Sequence, residues 1–228
     1  REITPDEKDL VLSHLSSGDL SSITEERFNS VGPVVGESLR RKSYFAVSIV
    51  ILAIVLFITF AFRKVSETTL SSGSRGVPSW KYGFATILAL AHDVIVPLGA
   101  YVIYGHFTGA EIDLLFITAI LAILGYSVHD TIVVFDRVRE HLRLNKEQNI
   151  LESFEKTVGE SVTQTMGRSI NTSLTLFVVL ISLYVVGSEA TQHFSFILLI
   201  GVIAGTYSSI FIASPLLVTL EKLQKKAV

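Results

Sequence analysis

Ile112-Asp113-Leu114-Leu115-Phe116-Ile117-Thr118-Ala119-Ile120-Leu121-Ala122-Ile123-Leu124-Gly125-Tyr126-Ser127-Val128-His129-Asp130-Thr131-Ile132-Val133-Val134-Phe135-Asp136-Arg137-Val138-Arg139-Glu140-His141-Leu142-Arg143 decides how the chain is read. It begins as an apolar helix long enough to enter a bilayer, carries His129 and Asp130 where a span is still running, and ends among arginines. A carboxylate inside a membrane span is costly, and such residues usually serve a function.

The composition agrees with a membrane setting. Of 228 residues, 49% are hydrophobic and 18% charged, and the mean hydropathy is +0.53. No cysteine is present, which excludes a disulfide framework, thiolate chemistry and a cysteine metal site.

Outward from residues 112–135, four more apolar segments appear, at 44–62, 83–104, 170–187 and 194–220. Each approaches or exceeds the ~20 residues that cross a ~30 Å hydrocarbon layer as a helix. The expected fold is an all-α polytopic membrane bundle with five transmembrane helices over residues 44–220 and a tail at 221–228. Residues 1–43 are polar and read as the end of an external α+β domain. Thr4-Pro5-Asp6-Glu7 is a helix start, with Leu10, Val11 and Leu15 on its apolar side. Phe28 to Gly36 reads more as strand or turn than helix.

Loop charges set the orientation. Lys and Arg occur in 63–82, in 136–169 and in the tail as Lys222, Lys225 and Lys226, but not in 105–111 or 188–193. The former three are expected on the cytoplasmic side, which puts residues 1–43 outside. An odd number of spans with an outside N-terminal segment implies at least one further span ahead of Arg1.

The chemistry is sought among ionisable residues in the spans. Asp93 lies ~15 Å into its helix, near mid-membrane. Pro97, four residues on, lacks the amide that would bond its carbonyl. The polar notch suits a proton, a cation or a water; the plainer reading is a hydrogen bond that fixes helix contact. Asp130 is ~27 Å from Ile112, toward the cytoplasmic side, with Ser127 and Arg137 on its face. It is either functional or simply neutralised by Arg137. Asp136, Arg139 and Glu140 read as a solvated turn. His92 and His129 each precede an Asp, and neighbours on a helix point about 100° apart, so neither pair is expected to be a side-by-side dyad. Each histidine is equally a proton carrier or a plain hydrogen-bond donor.

Ser161, Gln164, Thr165, Arg168, Asn171, Thr172 and Thr175 recur at three- and four-residue steps as a polar helix stripe, expected to face the bundle interior. Arg168 on it is the natural cation for Asp130 or Asp93. Gly201, Gly205 and Ser209 form a small-residue face suited to close helix approach, read as helix contact and not chemistry. The chain lacks a phosphate-binding loop, a Gly-x-Ser-x-Gly motif, a His/Cys metal spacing and a basic aromatic stripe for nucleic acid. No enzyme, cofactor, metal or nucleic-acid reading arises.

Several blocks taken together resemble the SecF family of protein-export membrane proteins, which work with SecD. They are Val31-Gly32-Pro33-Val34-Val35-Gly36, Leu90-Ala91-His92-Asp93-Val94, Ile112-Asp113-Leu114, Gly125-Tyr126-Ser127, and Asp130-Thr131-Ile132-Val133-Val134 followed by Asp136-Arg137-Val138-Arg139-Glu140. Arg168, Thr172-Ser173, Gly201-Val202, Gly205-Thr206 and Ser208-Ser209-Ile210 continue the match in order. The resemblance implies a six-helix subunit of the bacterial or archaeal plasma membrane, with an external domain between its first two helices. The first helix and much of that domain are expected ahead of Arg1.

The implied partners are SecD (separate or fused), a SecY-type channel, a translocating preprotein and the bilayer. The implied function is to couple the proton-motive force to polypeptide export. Asp130 and Arg168 fall on positions the family links to proton use, and Asp93 on its His-Asp motif; His129 departs from the usual Asn. Release of an Asp130–Arg168 pairing on protonation is the expected switch. Other readings are a proton-driven exporter of lipids or small molecules from the related superfamily, and a purely structural partner of SecD.

Overall fold

The computed structural model describes residues 10–12, 14, 33–61, 78–110 and 112–226. Among the described residues there is no strand. The chain divides into two units, Arg1–Val47 and Ser48–Val228. In the first, Leu10 and Val11 are helical and exposed. The helix start at Thr4 and most of the expected external α+β remnant lie outside the described residues.

Helix α1 is Pro33–Ala61. Pro33 stands at its first position, where a missing amide costs nothing. Pro33 to Gly36 are therefore helical, against the strand or turn expected for them. Helix α2, Ser79–Thr108, runs unbroken through Pro97 and stops at Gly109, whose φ of 75° is left-handed. The Gly109 amide donates to the Gly105 carbonyl at 2.8 Å, a helix end that glycine forms without strain. Helix α3, Leu114–Glu147, starts on Asp113, whose side chain accepts from the Phe116 amide at 2.8 Å. Helix α4, Phe154–Val186, is capped in the same way by Ser153. The last rod comprises α5, Glu189–Ser208, a π-helical turn at Ser209–Ala213, and α6, Ser214–Lys226. Ser214 Oγ reaches back five residues to donate to the Ser209 carbonyl at 2.9 Å, within that widened turn.

Among the described residues, five rods are long and apolar enough to cross a membrane. Each is longer than its expected span. Residues 136–147 are not a turn, because Val138 and Leu142 keep the buried face of α3 going. On the outer side, Arg137–Glu140 at 2.6 Å and Arg139–Asp136 at 2.7 Å are one-turn ion pairs. At 34 residues α3 is ~51 Å long, so its charged end protrudes beyond a ~30 Å layer.

The last rod is central and packs against α2, α3 and α4. Gly201 lies against Ile123 and Gly205 against Ser127, so the small-residue face abuts α3 with no room for a side chain. Two apolar clusters result. One gathers Tyr82, Ala85, Ala89, Phe135, Val138 and Leu217 among others, and the other Tyr101, Phe116, Ala119, Ile120, Ile123 and Ile197. Near the first, Lys81 at the start of α2 donates to the Leu220 carbonyl at 2.6 Å and ties α6 in place.

Candidate functional site

Between the two clusters the helices bring polar side chains to one level. Asp93 is the fifteenth of thirty residues in α2, and Asp130 the seventeenth of thirty-four in α3. Both are buried, at 0% and 7% exposure. Asp130 is thus at mid-helix in α3. The reason is the continuation of α3 past residue 135.

Hydroxyls hold both carboxylates, joined at Asp93 by His92. Ser127 of α3 and Ser208 of α5 both donate to Asp93 Oδ2, the latter at 2.7 Å. Ser169 of α4 donates to Asp130 Oδ1 at 2.5 Å, and Ser209 donates to Asp130 Oδ2 at 2.5 Å. All four serines are buried. Two consecutive residues of the last rod therefore hold two carboxylates on two different helices, because successive side chains fan out by about 100°. A hydroxyl network continues one turn along α3 and α4. Tyr126 Oη lies 2.7 Å from Ser173 Oγ, and Ser173 Oγ lies 2.5 Å from Thr206 Oγ1. An apolar groove of about 400 Å³ between α4 and the last rod opens beside it, with Ser173 and Thr206 among its lining.

His92 Nδ1 lies 2.9 Å from Asp93 Oδ1, so this His–Asp pair does meet. The side-chain torsions bring the proximal ring nitrogen sideways across the angle between neighbouring Cβ directions. His129, in contrast, is exposed, and the oxygens of Asp130 accept from Ser169 and Ser209.

Arg168 is exposed and forms no ion pair with Asp130 or Asp93. Both oxygens of Asp130 are taken by Ser169 and Ser209 instead. Arg137, the other expected neutraliser, turns to Gln164 and Glu140. The polar stripe on α4 splits in two. Ser161, Thr165 and Ser169 are buried, whereas Gln164, Arg168, Asn171, Thr172 and Thr175 are exposed on the outer side of this chain. Ser209, read as a helix-contact residue, is a donor to Asp130. Ser169 and Ser208 were not singled out as site residues. Their signal was present as a strict four-residue row, Ser161–Thr165–Ser169–Ser173, and as the pair Ser208–Ser209 in the small-residue face.

A second polar group lies where α3 meets α4. His141, Glu152 and Glu160 bring ligand-type atoms within 4.8 Å of one another. No sequence spacing announced it, since the three meet only through the antiparallel return of α4. Lys156 Nζ sits 3.1 Å from Glu152 and 3.5 Å from Glu160 and supplies the positive charge there. Burial pushes the Glu152 carboxyl up, but hydrogen bonds from Asn145, Lys156 and Thr157, with the charge of Lys156, outweigh it and hold the group below its ordinary value. This corner fastens the connection between the two helices.

Comparison with known proteins places this arrangement. A family model described as protein export membrane protein SecD/SecF, C-terminal, matches residues 12–70 and 78–223. The chain is similar to the protein translocase subunit SecF of Thermobaculum terrenum, 47% identical over 194 residues, which is 85% of this chain and 56% of that protein. It is 39% identical over 220 residues to the SecF subunit of Anaerolinea thermophila, covering 96% of this chain and 67% of the relative. Thus the chain spans between about half and two thirds of the length of these relatives. Among solved structures it is similar to SecDF from Thermus thermophilus, described as a translocon-associated membrane protein. The TM-score is 0.73 at 32% identity, over 96% of this chain and 27% of that one. A SecDF crystal structure in a super-membrane-facing form gives a TM-score of 0.70 at 30% identity, covering 98% and 27%. The chain belongs to the SecD/SecF family of protein-export membrane proteins.

Proposed function

We propose that this chain is a non-enzymatic subunit of the Sec export machinery that couples the proton-motive force to polypeptide translocation, with Asp130 as its proton-exchanging group and Asp93 in support. The carrying observation is a buried carboxylate at mid-helix held by two serine hydroxyls, with no cation among the described residues bonded to it. A buried charge without a counter-ion costs several kcal/mol. Charge-assisted hydrogen bonds of ~1.5–3 kcal/mol each offset part of that cost. Such a group has two accessible forms: an ionised one that accepts on both oxygens, and a protonated one with an O–H to place. One proton crossing 100 mV releases about 2.3 kcal/mol, enough to bias a two-state bundle some fiftyfold.

Arg168, Asn171, Thr172 and Thr175 form an exposed polar face on a membrane helix, and lipid is a poor solvent for it. This face is read as the contact with SecD, which would bring Arg168 into the coupling assembly from outside this chain's own core. The SecY-type channel and a translocating preprotein are the further partners. The lysines at 222, 225 and 226 support a cytoplasmic C-terminus, with the five rods in the plasma membrane of a bacterial or archaeal cell.

The test is export into membrane vesicles by the complete Sec machinery carrying Asp130→Asn. The expected result is loss of the stimulation by an imposed proton gradient, with assembly and ATP-driven export retained. Full stimulation in an assembled Asp130→Asn complex would overturn the proposal.

A further inference from the structure

We propose that Ser208 and Ser209 are the positioning residues through which the two carboxylates act on the last rod, each hydroxyl switching its hydrogen between a carboxylate and a backbone carbonyl of its own helix. The inference deepens the coupling function proposed above and rests on it for its consequence, though not for its geometry.

Each serine has two acceptors within reach and one hydrogen to give. Ser208 Oγ lies 2.7 Å from Asp93 Oδ2 and 3.1 Å from the Gly205 carbonyl. Ser209 Oγ lies 2.5 Å from Asp130 Oδ2 and 3.1 Å from the Thr206 carbonyl. An ionised carboxylate is the stronger acceptor and takes the hydrogen, because charge-assisted bonds are about twice as strong as neutral ones. When Asp130 gains an external proton, its new O–H needs an acceptor. Ser209 Oγ is already in place for it, and the serine hydrogen then turns to Thr206. Ser209 keeps its own proton throughout; only the carboxyl gains one. Ser208 can do the same between Asp93 and Gly205.

Among the described residues, the titratable groups facing this layer are few. On α2 they are His92 and Asp93; on α3, Asp130, with Tyr126 one turn away on Ser173. On the last rod Tyr207 lies with its ring 6.0 Å from that of His92. Arg168 of α4 is turned outward. The back-bonded serine state bends helices, and here it falls immediately before the π-helical turn at Ser209–Ala213, a local widening often found at functional sites. Ser214 Oγ on the Ser209 carbonyl continues the chain of contacts into α6. A proton on either carboxylate is thereby converted into a bend at one point of the central rod.

The experiment uses the assembled complex in vesicles, with infrared difference spectra of the carboxyl C=O stretch on acidification and with gradient-stimulated export. The Asp130 band is identified by its loss in Asp130→Asn. In Ser209→Ala and Ser209→Cys that band should shift and gradient-stimulated export fall about tenfold or more, the loss expected for one charge-assisted hydrogen bond. Ser209→Thr, which keeps the hydroxyl, should restore the band. Ser208→Ala should move the Asp93 band and leave that of Asp130 in place. A purely space-filling role predicts the opposite order, with Ala and Cys tolerated at this fully buried position and Thr harmful. Ser209→Ala with an unchanged carboxyl band, or with full gradient stimulation, overturns the inference. If Asp130→Asn itself keeps full stimulation, the coupling function fails instead, and the band positions still decide the hydroxyl role.

Discussion

Replacing Gly201 by alanine tests the closeness of approach on which the whole polar layer depends. A Cβ at this position would fall inside the volume occupied by the Ile123 side chain, meeting Cδ1, Cγ1 and Cγ2 together. Ile123 is 1% exposed and is enclosed by Tyr101, Phe116, Ala119, Ile120 and Ile197, so it has nowhere to move. Overpacking of this kind costs about 1–3 kcal/mol. Alanine also gains about 1 kcal/mol over glycine in helix propensity, so the net change alone would be misleading. Gly99 on α2 provides the reference, because a Cβ there meets nothing within 4 Å.

The propensity term cancels between Gly201→Ala and Gly99→Ala, leaving a difference of about 1–3 kcal/mol, or five- to 150-fold in the unfolding equilibrium. Reversible unfolding in mixed micelles, followed by circular dichroism, measures it. Adding Ile123→Ala to Gly201→Ala removes all three contacting atoms. A coupling of about 0.5–3 kcal/mol between the two substitutions should appear. Equal stability of the Gly201 and Gly99 variants, or strict additivity in the double variant, would refute the reasoning.

Two further outcomes follow from the ends of the bundle. Glu152 is held below its ordinary carboxyl value in the folded chain. Its contribution is therefore fully present above the unfolded value of ~4.3 and is lost as pH falls through the lower folded value; thermal unfolding between pH 7 and 3 should show a flatter acid limb in Glu152→Gln than in the parent. Lys81→Met removes the donor to the Leu220 carbonyl and the cation beside buried Glu221. It should weaken the docking of α6 by roughly 1.5–3 kcal/mol, read as faster tryptic cleavage at Lys222 with the helix content unchanged.

The five spans were legible because length and hydropathy alone demand them; a run such as Tyr44 to Phe62 admits no other reading. Asp93 was legible as a polar notch because a carboxylate ten residues into an apolar helix stands out against its neighbours. The layer's true partners were not legible, for a geometric reason. One residue step turns a helix by about 100°, so Ser169 is buried against Asp130 while Arg168, its neighbour in sequence, is turned out to the exposed side. A stripe drawn wide enough to include both hides the difference.

Charge attraction also suggested an arginine for Asp130, but both of its oxygens accept from short hydroxyl side chains, Ser169 and Ser209, which sequence charge does not signal. The length of α3 was misjudged because its charged outer face masked a buried row, Val134, Val138 and Leu142, that continues the helical period. The His141–Glu152–Glu160 corner is a tertiary feature that no local spacing encodes.

The two apolar clusters have an electrical meaning. They lie in series along the axis of the bundle with the hydroxyl-bonded carboxylates between them, and both are built of aliphatic and aromatic side chains, Tyr82 and Tyr101 among them. A charge entering from either end meets a low-dielectric plug, where the penalty for an unpaired ion is several kcal/mol. Each cluster thus sets a low-dielectric layer on one side of the carboxylates, and the apolar groove between α4 and the last rod lies beside them. Under the coupling function proposed above, this plan suits a group that is charged and discharged one proton at a time rather than an open conduit.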